Sequence, residues 1–290
     1  MRIAAMTVVR DERVMLPLWT RHYGAQLGVE HLYVIDDNSS DGSTDDLPCD
    51  LLHLPPIRGG KFEHTRVQFL AGMVAALGKL YDCVVFTDAD EFLVPDPERY
   101  DGLRDFISRQ PTGTQAVAAL GLNVVHARTE PPLDLSRPIL EQRRLGKFLP
   151  VMCKPAVNFV AAPWYAASHG IKVPYRVDPD LWMFHLKFAD RCLLREAADR
   201  RRAWMLADGR CRRTSWHFDG EEMVDLLDEI GAQIAHPEGV AEFQPPSGSA
   251  LGDLVTEDRD CGWRAPKGGQ VELMRARPFA RIPERFTGSF

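Results

Sequence analysis

The segment at residues 84–94, VVFTDADEFLV, constrains the fold more than any other part of this sequence. Its first three residues are typical of a strand buried inside a sheet. Asp88, Asp90 and Glu91 follow almost at once. A buried carboxylate without a partner costs several kcal/mol. The strand must therefore end where water, a cation or hydrogen-bond donors can meet three negative charges.

The residues before this segment alternate between strand and helix patterns. The predicted order is a strand at residues 3–9, a helix ending at Gly28, strands at 31–36 and 51–55, a helix at 63–80, and the strand that opens the segment at residue 84. Such alternation predicts an α/β fold with a mainly parallel central sheet flanked by helices, as in Rossmann-like proteins. In such sheets ligands bind outside the carboxyl ends of the strands, so the acids that follow three of these strands are expected to share one crevice.

The pattern weakens after residue 100. One more strand is predicted near residues 116–127, a loop at 129–144, a strand pair at 146–160 and a helix at about 219–235. Asp219 and Glu222 have the spacing of a capping box at the start of that helix. Glycine and proline are dense from residue 237 onward, which predicts an extended tail over the surface. We expect one domain at residues 1–235 and a C-terminal extension at 236–290 packed on it.

Composition excludes several classes of protein. The net charge of −6 provides no overall field for nucleic acid. The six cysteines are far apart, without metal-ligand or redox spacing, and are expected to be reduced thiols in the cytoplasm. The N-terminus becomes charged too early for a signal peptide, and no apolar run reaches the roughly 20 residues of a membrane span.

Residues 191–213 contain eight arginines. One interpretation is peripheral docking on anionic lipid at the inner face of a membrane. The other, which we favour, is a solvated helix whose arginines pair with Glu196, Asp199 and Asp208. Binding of nucleic acid is disfavoured because the protein is acidic and few aromatic residues are interleaved.

Asp88 and Asp90 have the chemistry of a divalent-cation site. On a strand, residues two apart point to the same side, so both carboxylates would enter one small volume. Mg²⁺ and Mn²⁺ prefer such oxygen ligands and complete their shells with water and phosphate oxygens. The ion would neutralise a diphosphate leaving group. A helix N-cap or a solvated turn is the other interpretation of this short motif.

Several segments resemble the family 2 type of glycosyltransferases. VVRDERVMLPLWTRHYGAQLGVEHLYVIDDNSSDGST resembles the N-terminal signature of that family, and YDCVVFTDADEFLV resembles the version found in its family 92-related branch. TRVQFLAGMVAAL, KPAVNF, HGIK and FHLKFAD match that branch in the same order, the last three more loosely. The resemblance implies the GT-A fold, with a nucleotide-binding half at about residues 1–100 and an acceptor half at about 101–235.

The resemblance also implies roles for individual residues. Asp88 and Asp90 would hold a divalent cation, Mn²⁺ or Mg²⁺, and the donor diphosphate, the second aspartate more directly. Asp37 matches the acid that accepts a hydrogen bond from the nucleotide base, which is uracil in most relatives. The remaining nucleotide-sugar-binding residues implied are Val8, Arg10, Glu12, Lys61, Arg66 and Ala89. Asp11 stands where many members of the family have asparagine.

Two further roles follow from the resemblance. Many GT-A enzymes add a later histidine as a metal ligand, and His185 and His169 compete for that role here. Inverting transfer needs a general base downstream of the metal motif. We predict Asp180 as that base, with Asp178, Glu130 and Glu141 as alternatives.

The expected function is metal-dependent transfer of a hexosyl group from a nucleotide-sugar, a UDP-sugar by resemblance, to a hydroxyl of a glycan or lipid-linked acceptor. Inversion is expected over retention, and polysaccharide biosynthesis is the process that the class suggests. Two alternatives stay open. One is a nucleotide-sugar-binding protein without catalysis. The other is a phosphatase of the haloacid dehalogenase type, which uses the first aspartate of an Asp-x-Asp motif as nucleophile but carries that motif on its first strand.

Overall fold

The computed structural model describes residues 1–55, 62–165, 168–209, 211, 214–234, 239–260 and 262–290. In these residues the chain forms a large sheet of ten strands and a small sheet of four strands. Helices flank the large sheet. The α/β class predicted from the alternation of strands and helices is confirmed.

The first third of the chain builds the parallel part of the large sheet. Its elements are β1 (Ile3–Val9), α1 (Met15–Leu27), β2 (Leu32–Asp36), β3 (Asp50–His53), α2 (Phe62–Leu77) and β4 (Cys83–Phe86). The strands lie in the order β4, β1, β2, β3, and all three pairings are parallel. Helix α1 ends at Gly28, whose φ of 97° suits glycine. Each predicted element is present, and α2 ends three residues before the predicted limit.

The middle of the chain adds a mixed part to the same sheet. Its elements are β5 (Glu91–Pro95), α3 (Leu103–Ser108), β6 (Ala116–Val125), α4 (Ile139–Gln142), β7 (Leu145–Phe148), β8 (Val157–Asn158), β9 (Trp164–Tyr165), β10 (Gly170–Ile171) and β11 (Arg176–Phe188). The strand pair predicted at residues 146–160 forms as β7 and β8. The two strands pair with β6 instead of with each other, because a 3₁₀ turn at Pro150–Met152 separates them.

The last third contains more secondary structure than the sequence predicted. Its elements are α5 (Arg191–Asp208), α6 (Gly220–Gly231), α7 (Ser249–Gly252), β12 (Thr256–Asp258), β13 (Gly262–Arg264), α8 (Gln270–Ala276) and β14 (Ala280–Arg281). The capping box of α6 is confirmed, with both reciprocal hydrogen bonds present. The predicted extended surface tail is wrong for the final residues. Strand β14 pairs with β7, and Ile282 and Phe286 are fully buried against the core.

The direction of the strands places several strand ends at one edge of the sheet. Strand β8 is antiparallel to both β4 and β6, so β4 and β6 run the same way. Strand β11 is parallel to β6. The carboxyl ends of β1, β2, β4 and β11 therefore lie on the same side, where open α/β sheets bind ligands. The longest ladder in the sheet, between β6 and β11, is parallel, as are the three pairings among β4, β1, β2 and β3, in agreement with the predicted mainly parallel arrangement.

No helix in the described part of the chain is long and apolar enough to cross a membrane. The cysteines at positions 49, 83, 153 and 192 are free thiols, and Cys211 Sγ donates to Glu63 Oε1 at 3.1 Å. Cys261 lies outside the described residues.

His22 on α1 gives the fold a testable dependence on pH. Its Nε2 lies 3.0 Å from the carbonyl oxygen of Leu93, and burial lowers its pKa to about 4. Between pH 6.5 and pH 4 the unfolded chain binds a proton at this site that the folded chain does not. The free energy of unfolding should therefore fall over that window, by up to about 3 kcal/mol from this residue.

The measurement is urea unfolding at about pH 7 and about pH 4 of the native protein and of His22→Gln, which cannot titrate in this range. We expect the variant to lose less stability on acidification. His64→Gln, at an exposed position, is the matched control and should behave as the native protein does. Identical pH dependence in all three proteins would contradict the assignment.

Candidate functional site

A cavity of about 390 Å³ opens at the edge of the sheet where these strands end. Most of the residues predicted for the site line it. These residues are Val8, Arg10, Glu12, Asp37, Arg66, Asp88, Ala89, Asp90, His169 and His185. They come from the ends of β1, β2 and β4, from α2, from the end of β11 and from the turn before β10. The expectation that acids from separate strands share one crevice is confirmed.

The two aspartates lie in a turn and not on a continuing strand. Strand β4 ends at Phe86, and β5 begins at Glu91. The Trp19 indole donates to the Thr87 hydroxyl at 2.8 Å, and the backbone N–H of Asp88 donates to the Glu91 carboxylate at 3.2 Å. These bonds fix the turn from both ends, so its carboxylates have defined and different surroundings.

Asp88 is held by two cationic side chains. Arg66 Nη2 lies 2.8 Å from its Oδ1, and Lys154 Nζ lies 3.1 Å from its Oδ2. Burial alone would raise the pKa of Asp88, but Lys154 and Arg66 outweigh burial and hold it well below its usual range. Both oxygens of this carboxylate are therefore already engaged by the protein.

Lys154 also forms an ion pair with Glu91, the third acid of the segment. Its Nζ lies 2.5 Å from Glu91 Oε1, and both side chains are almost fully buried. Burial lowers the pKa of Lys154, but Asp88 and Glu91 outweigh this effect and raise it. Lys154 lies in the KPAVNF segment, and sequence reasoning gave it no role. A basic residue in an otherwise apolar stretch is the signal that could have found it.

Asp90 faces a different set of partners. Its Oδ2 lies 3.3 Å from His185 Nε2 and 3.6 Å from Arg201. Burial alone would raise the pKa of Asp90, but His185 and Arg201 hold it below its usual range. Of the two aspartates, Asp90 is the one that faces an imidazole nitrogen.

The surroundings of His185 fit a divalent cation. Its Nδ1 lies next to Asn123 Oδ1 and 3.2 Å from Gln270 Nε2. When Nδ1 carries the hydrogen and donates it to Asn123, Nε2 has a lone pair that faces Asp90. Two electron-rich atoms at this distance repel each other unless a proton or a cation lies between them. Donation from the other ring nitrogen to an oxygen is also the usual arrangement for histidines that bind metals.

The cation would obtain few ligands from the protein itself. Within the described ranges, no three His, Cys, Asp or Glu side chains are grouped as a complete metal centre. Mg²⁺ and Mn²⁺ commonly use one or two protein ligands together with water and substrate phosphates. Asp90 and His185 fit that pattern. His169 lies in the cavity wall with Nδ1 2.7 Å from the Val151 carbonyl oxygen, and burial lowers its pKa to about 4.

Helix α5 places two arginines beside acids of the cavity, and Arg201 itself lines it. Arg200 lies 3.6 Å from Glu12, and Arg201 reaches Asp90. Burial raises the pKa of Glu12, and these two arginines act in the opposite direction. The favoured interpretation, a solvated helix paired with its own acids, is therefore wrong for Arg200 and Arg201. Their charge was visible in the sequence, but the side of the helix that faces the sheet was not.

Other arginines of α5 pair with an acid of α6 and with its N-cap residue. Arg191 contacts Asp228, and Arg202 lies 2.7 Å from Asp219. Among the predicted partners, Asp199 accepts the backbone N–H of Gly220 at 2.7 Å. The Asp208 side chain lies outside the described residues. The charge pattern therefore joins two helices rather than covering one solvated face.

Aromatic side chains and the C-terminal segment complete the cavity. Phe62, Trp204 and Trp216 line it, and the guanidinium of Arg10 lies 4.9 Å from the Trp204 ring centre. Gln270, at the start of α8, also lines it. Sequence reasoning missed Trp204, Trp216 and Gln270 because they come from the part of the chain where the resemblance is absent.

Of the two remaining predicted residues, the structure describes only Asp180, which is not brought to the cavity. Lys61 lies outside the described residues. Asp180 is absent from the cavity lining and pairs with Arg99 at 2.5 Å. It lies five residues before His185 on β11, which at 3.3 Å per residue is about 16 Å along the strand.

The alternative bases are also paired with arginines. Asp178 lies 2.8 Å from Arg176. Glu130 lies 3.6 Å from Arg143, and Glu141 lies 3.5 Å from Arg137. None of the three lines the cavity.

Comparison with known proteins gives distant structural matches only. No protein-family model and no curated protein matches the chain. A mannosyltransferase from Pyrobaculum calidifontis, in complex with GDP-Man and Mn²⁺, matches with 17% identity and a TM-score of 0.26, over 49% of this chain and 40% of that one. Glucosyl-3-phosphoglycerate synthase from Mycobacterium tuberculosis, with Mn²⁺ and UDP bound, matches with 21% identity and a TM-score of 0.28, over 41% and 43%.

A third match covers more of the chain. Mannose-1-phosphate geranyltransferase from Thermus thermophilus matches with 10% identity and a TM-score of 0.29, over 97% of this chain and 73% of that one. The chain spans less than half the length of the first two structures. At these TM-scores, the function of the chain rests on its own site.

Removal of Lys154 should destabilise the fold. Lys154→Met would leave Glu91 buried without the lysine that pairs with it. It would also remove one of the two cationic partners of Asp88. Breaking a buried ion pair in this way costs about 3 kcal/mol or more. We expect that loss in urea unfolding at neutral pH, and a smaller loss for Lys154→Arg. Lys79→Met, at an exposed position, is the control. A Lys154→Met protein as stable as the native one would show that Glu91 does not depend on this ion pair.

Proposed function

We propose that the chain is a GT-A glycosyltransferase that moves a sugar from a nucleotide-sugar donor to a hydroxyl acceptor. The observation that supports this most is the convergence of the ends of β1, β2, β4 and β11 on one cavity. That cavity contains carboxylates, a histidine that faces one of them, and several cationic side chains. A nucleotide diphosphate needs this combination, because its base requires hydrogen-bonding groups and its phosphates require positive charge.

The donor proposed is a UDP-sugar. Asp37 follows β2, and its backbone N–H donates to the Val9 carbonyl at 2.8 Å, which fixes it beside the end of β1. A carboxylate at this place can accept the imide N–H of uracil, a donor that the corresponding edge of adenine lacks. Val8, Arg10 and Glu12 line the same part of the cavity and are proposed to surround the base and ribose.

Asp90 and His185 are the residues proposed to hold Mn²⁺ or Mg²⁺. Asp88 is less suitable as a direct ligand, because both of its oxygens already accept from Arg66 and Lys154. When bound, the ion would supply neutralisation of the charge that develops on the departing diphosphate. His169 remains a further proposed ligand. Asn123 fixes the ring of His185, so the imidazole nitrogen is oriented before the donor arrives.

The acceptor side rests on resemblance alone. A glycan or lipid-linked hydroxyl, inversion at the anomeric carbon and a role in polysaccharide biosynthesis are proposals of this kind. Cytoplasmic location with peripheral membrane contact also stays a prediction. The role of Asp180 as general base also stays a prediction. A base at that position would require the acceptor to reach along β11, away from His185.

The two alternatives differ in how well the site suits them. A phosphatase that uses the first aspartate as nucleophile needs a free carboxylate oxygen at Asp88. Here Arg66 and Lys154 each donate to one of its oxygens, which makes the carboxylate a weaker nucleophile and disfavours that reaction. A binding protein without catalysis would have the same cavity, and only turnover of donor distinguishes it from an enzyme.

The proposed donor and metal can be tested by thermal stabilisation. We expect UDP with Mn²⁺ to raise the melting temperature, and UDP alone, Mn²⁺ alone, or ADP with Mn²⁺ to have smaller effects. Asp90→Asn should lose most of the Mn²⁺-dependent rise in melting temperature. The same variant should lower the rate of sugar transfer from a UDP-sugar by about 100-fold or more. Asp225→Asn, an exposed site on α6, is the control. Equal stabilisation by UDP and ADP would contradict the donor, and an unaffected Asp90→Asn variant would contradict the metal site.

A further inference from the structure

Lys187 is a cationic side chain of the cavity that the proposed reaction leaves without a role. It lies on β11 two residues after His185, and part of its surface is exposed in the cavity wall. Its Nζ donates to Gln270 Oε1 at 3.0 Å and lies 3.3 Å from Ser215 Oγ. Both partners are neutral. An ammonium has three N–H groups, and acceptors within the described residues engage two of them.

The other cationic side chains near the cavity acids Glu12, Asp88, Asp90 and Glu91 differ from Lys187 in one respect. Each of them has a carboxylate oxygen within 4 Å. The pairs are Arg66 with Asp88, Lys154 with Asp88 and Glu91, Arg200 with Glu12, and Arg201 with Asp90. Lys187 has no such partner in the part of the chain that the structure describes. Among these five cationic side chains, Lys187 therefore differs in having no carboxylate of the described residues within 4 Å.

The surroundings of Lys187 make that charge costly without a ligand. Most of the side chain is removed from water, Arg201 on α5 repels its charge, and Asp90 in the turn attracts it from beyond ion-pair distance. The ring of Phe188 lies 5.4 Å from Nζ. A bound anion would offset both the loss of water and the repulsion from Arg201.

We propose that Lys187 is a direct protein contact of the donor's diphosphate. The site lies beside Asp90 and His185, so an anion held there could also reach the proposed cation. This inference rests on the proposed function for the identity of the ligand as a nucleoside diphosphate. The chemistry that it requires is only a diphosphate group.

Gln270 joins the two parts of this site. Its Oε1 accepts from Lys187, and its Nε2 lies 3.2 Å from His185 Nδ1. It comes from the C-terminal segment, which the sequence placed outside the nucleotide-binding part. Gln270 is therefore a positioning residue for the lysine, and its amide group lies beside the imidazole of His185.

The test is titration calorimetry with inorganic pyrophosphate, UDP and uridine in the presence of Mg²⁺. For Lys187→Met we expect Kd for pyrophosphate and UDP to rise by about tenfold or more, since a charged hydrogen bond is lost. Kd for uridine should not change. Lys187→Arg should recover part of the loss, and Lys79→Met should bind as the native protein does. Unfolding curves of each variant would show whether a loss of binding reflects a loss of folding.

The outcomes separate this inference from the proposed function. Equal binding of UDP and pyrophosphate by native and Lys187→Met proteins would overturn the role of Lys187 and leave the proposed function intact. Binding of pyrophosphate but not of UDP, with loss in Lys187→Met, would support the lysine and contradict the nucleotide donor. Absence of binding of either ligand by the native protein would overturn both.

Discussion

The buried ion pairs around Asp88 are the interaction on which the site depends. The turn after β4 places Asp88 and Asp90 at the edge of the sheet, and Glu91 follows as the first residue of β5. The side chains of Glu91 and Lys154 are buried there. Lys154 joins Asp88 to Glu91, and Arg66 meets Asp88 from α2. These pairs offset a desolvation cost of several kcal/mol per ion. Without them the turn between β4 and β5 could not hold its acids next to a ligand cavity.

Because of these ion pairs, the three acids have different roles. Asp88 and Glu91 are engaged by the protein and fix the turn. Asp90 is left facing His185, where a cation would find an oxygen and a nitrogen ligand 3.3 Å apart. Lys187 contributes positive charge that no nearby carboxylate of the described residues cancels. A site with one place for a cation and one for an anion is suited to a metal-bound diphosphate, and its walls of aromatic and aliphatic residues keep both interactions strong.

The sequence predicted the parts of the site that follow from strand order. Parallel strands bring their carboxyl ends together, so the acids after β1, β2 and β4 could be placed in one crevice from the strand order. The choice of Glu12 and Asp37 among them came from the family resemblance. Lys154, Arg201 and Gln270 could not, because their positions depend on how later elements fold back over the sheet. A charged residue at helical spacing indicates a polar face but not what that face contacts. The buried end of the C-terminal segment was missed for a similar reason. The segment is rich in glycine and proline, and its few apolar residues that pack against the core show no helix or strand periodicity.

Anomalous scattering from a crystal grown with UDP and Mn²⁺ tests the proposed pairing of cation and diphosphate most directly, because it locates the metal without reference to turnover. We predict one manganese peak between Asp90 Oδ2 and His185 Nε2, at about 2.1 Å from each, with the diphosphate between it and Lys187. Ordered UDP elsewhere on the protein, or a manganese peak that touches neither Asp90 nor His185, would contradict this arrangement.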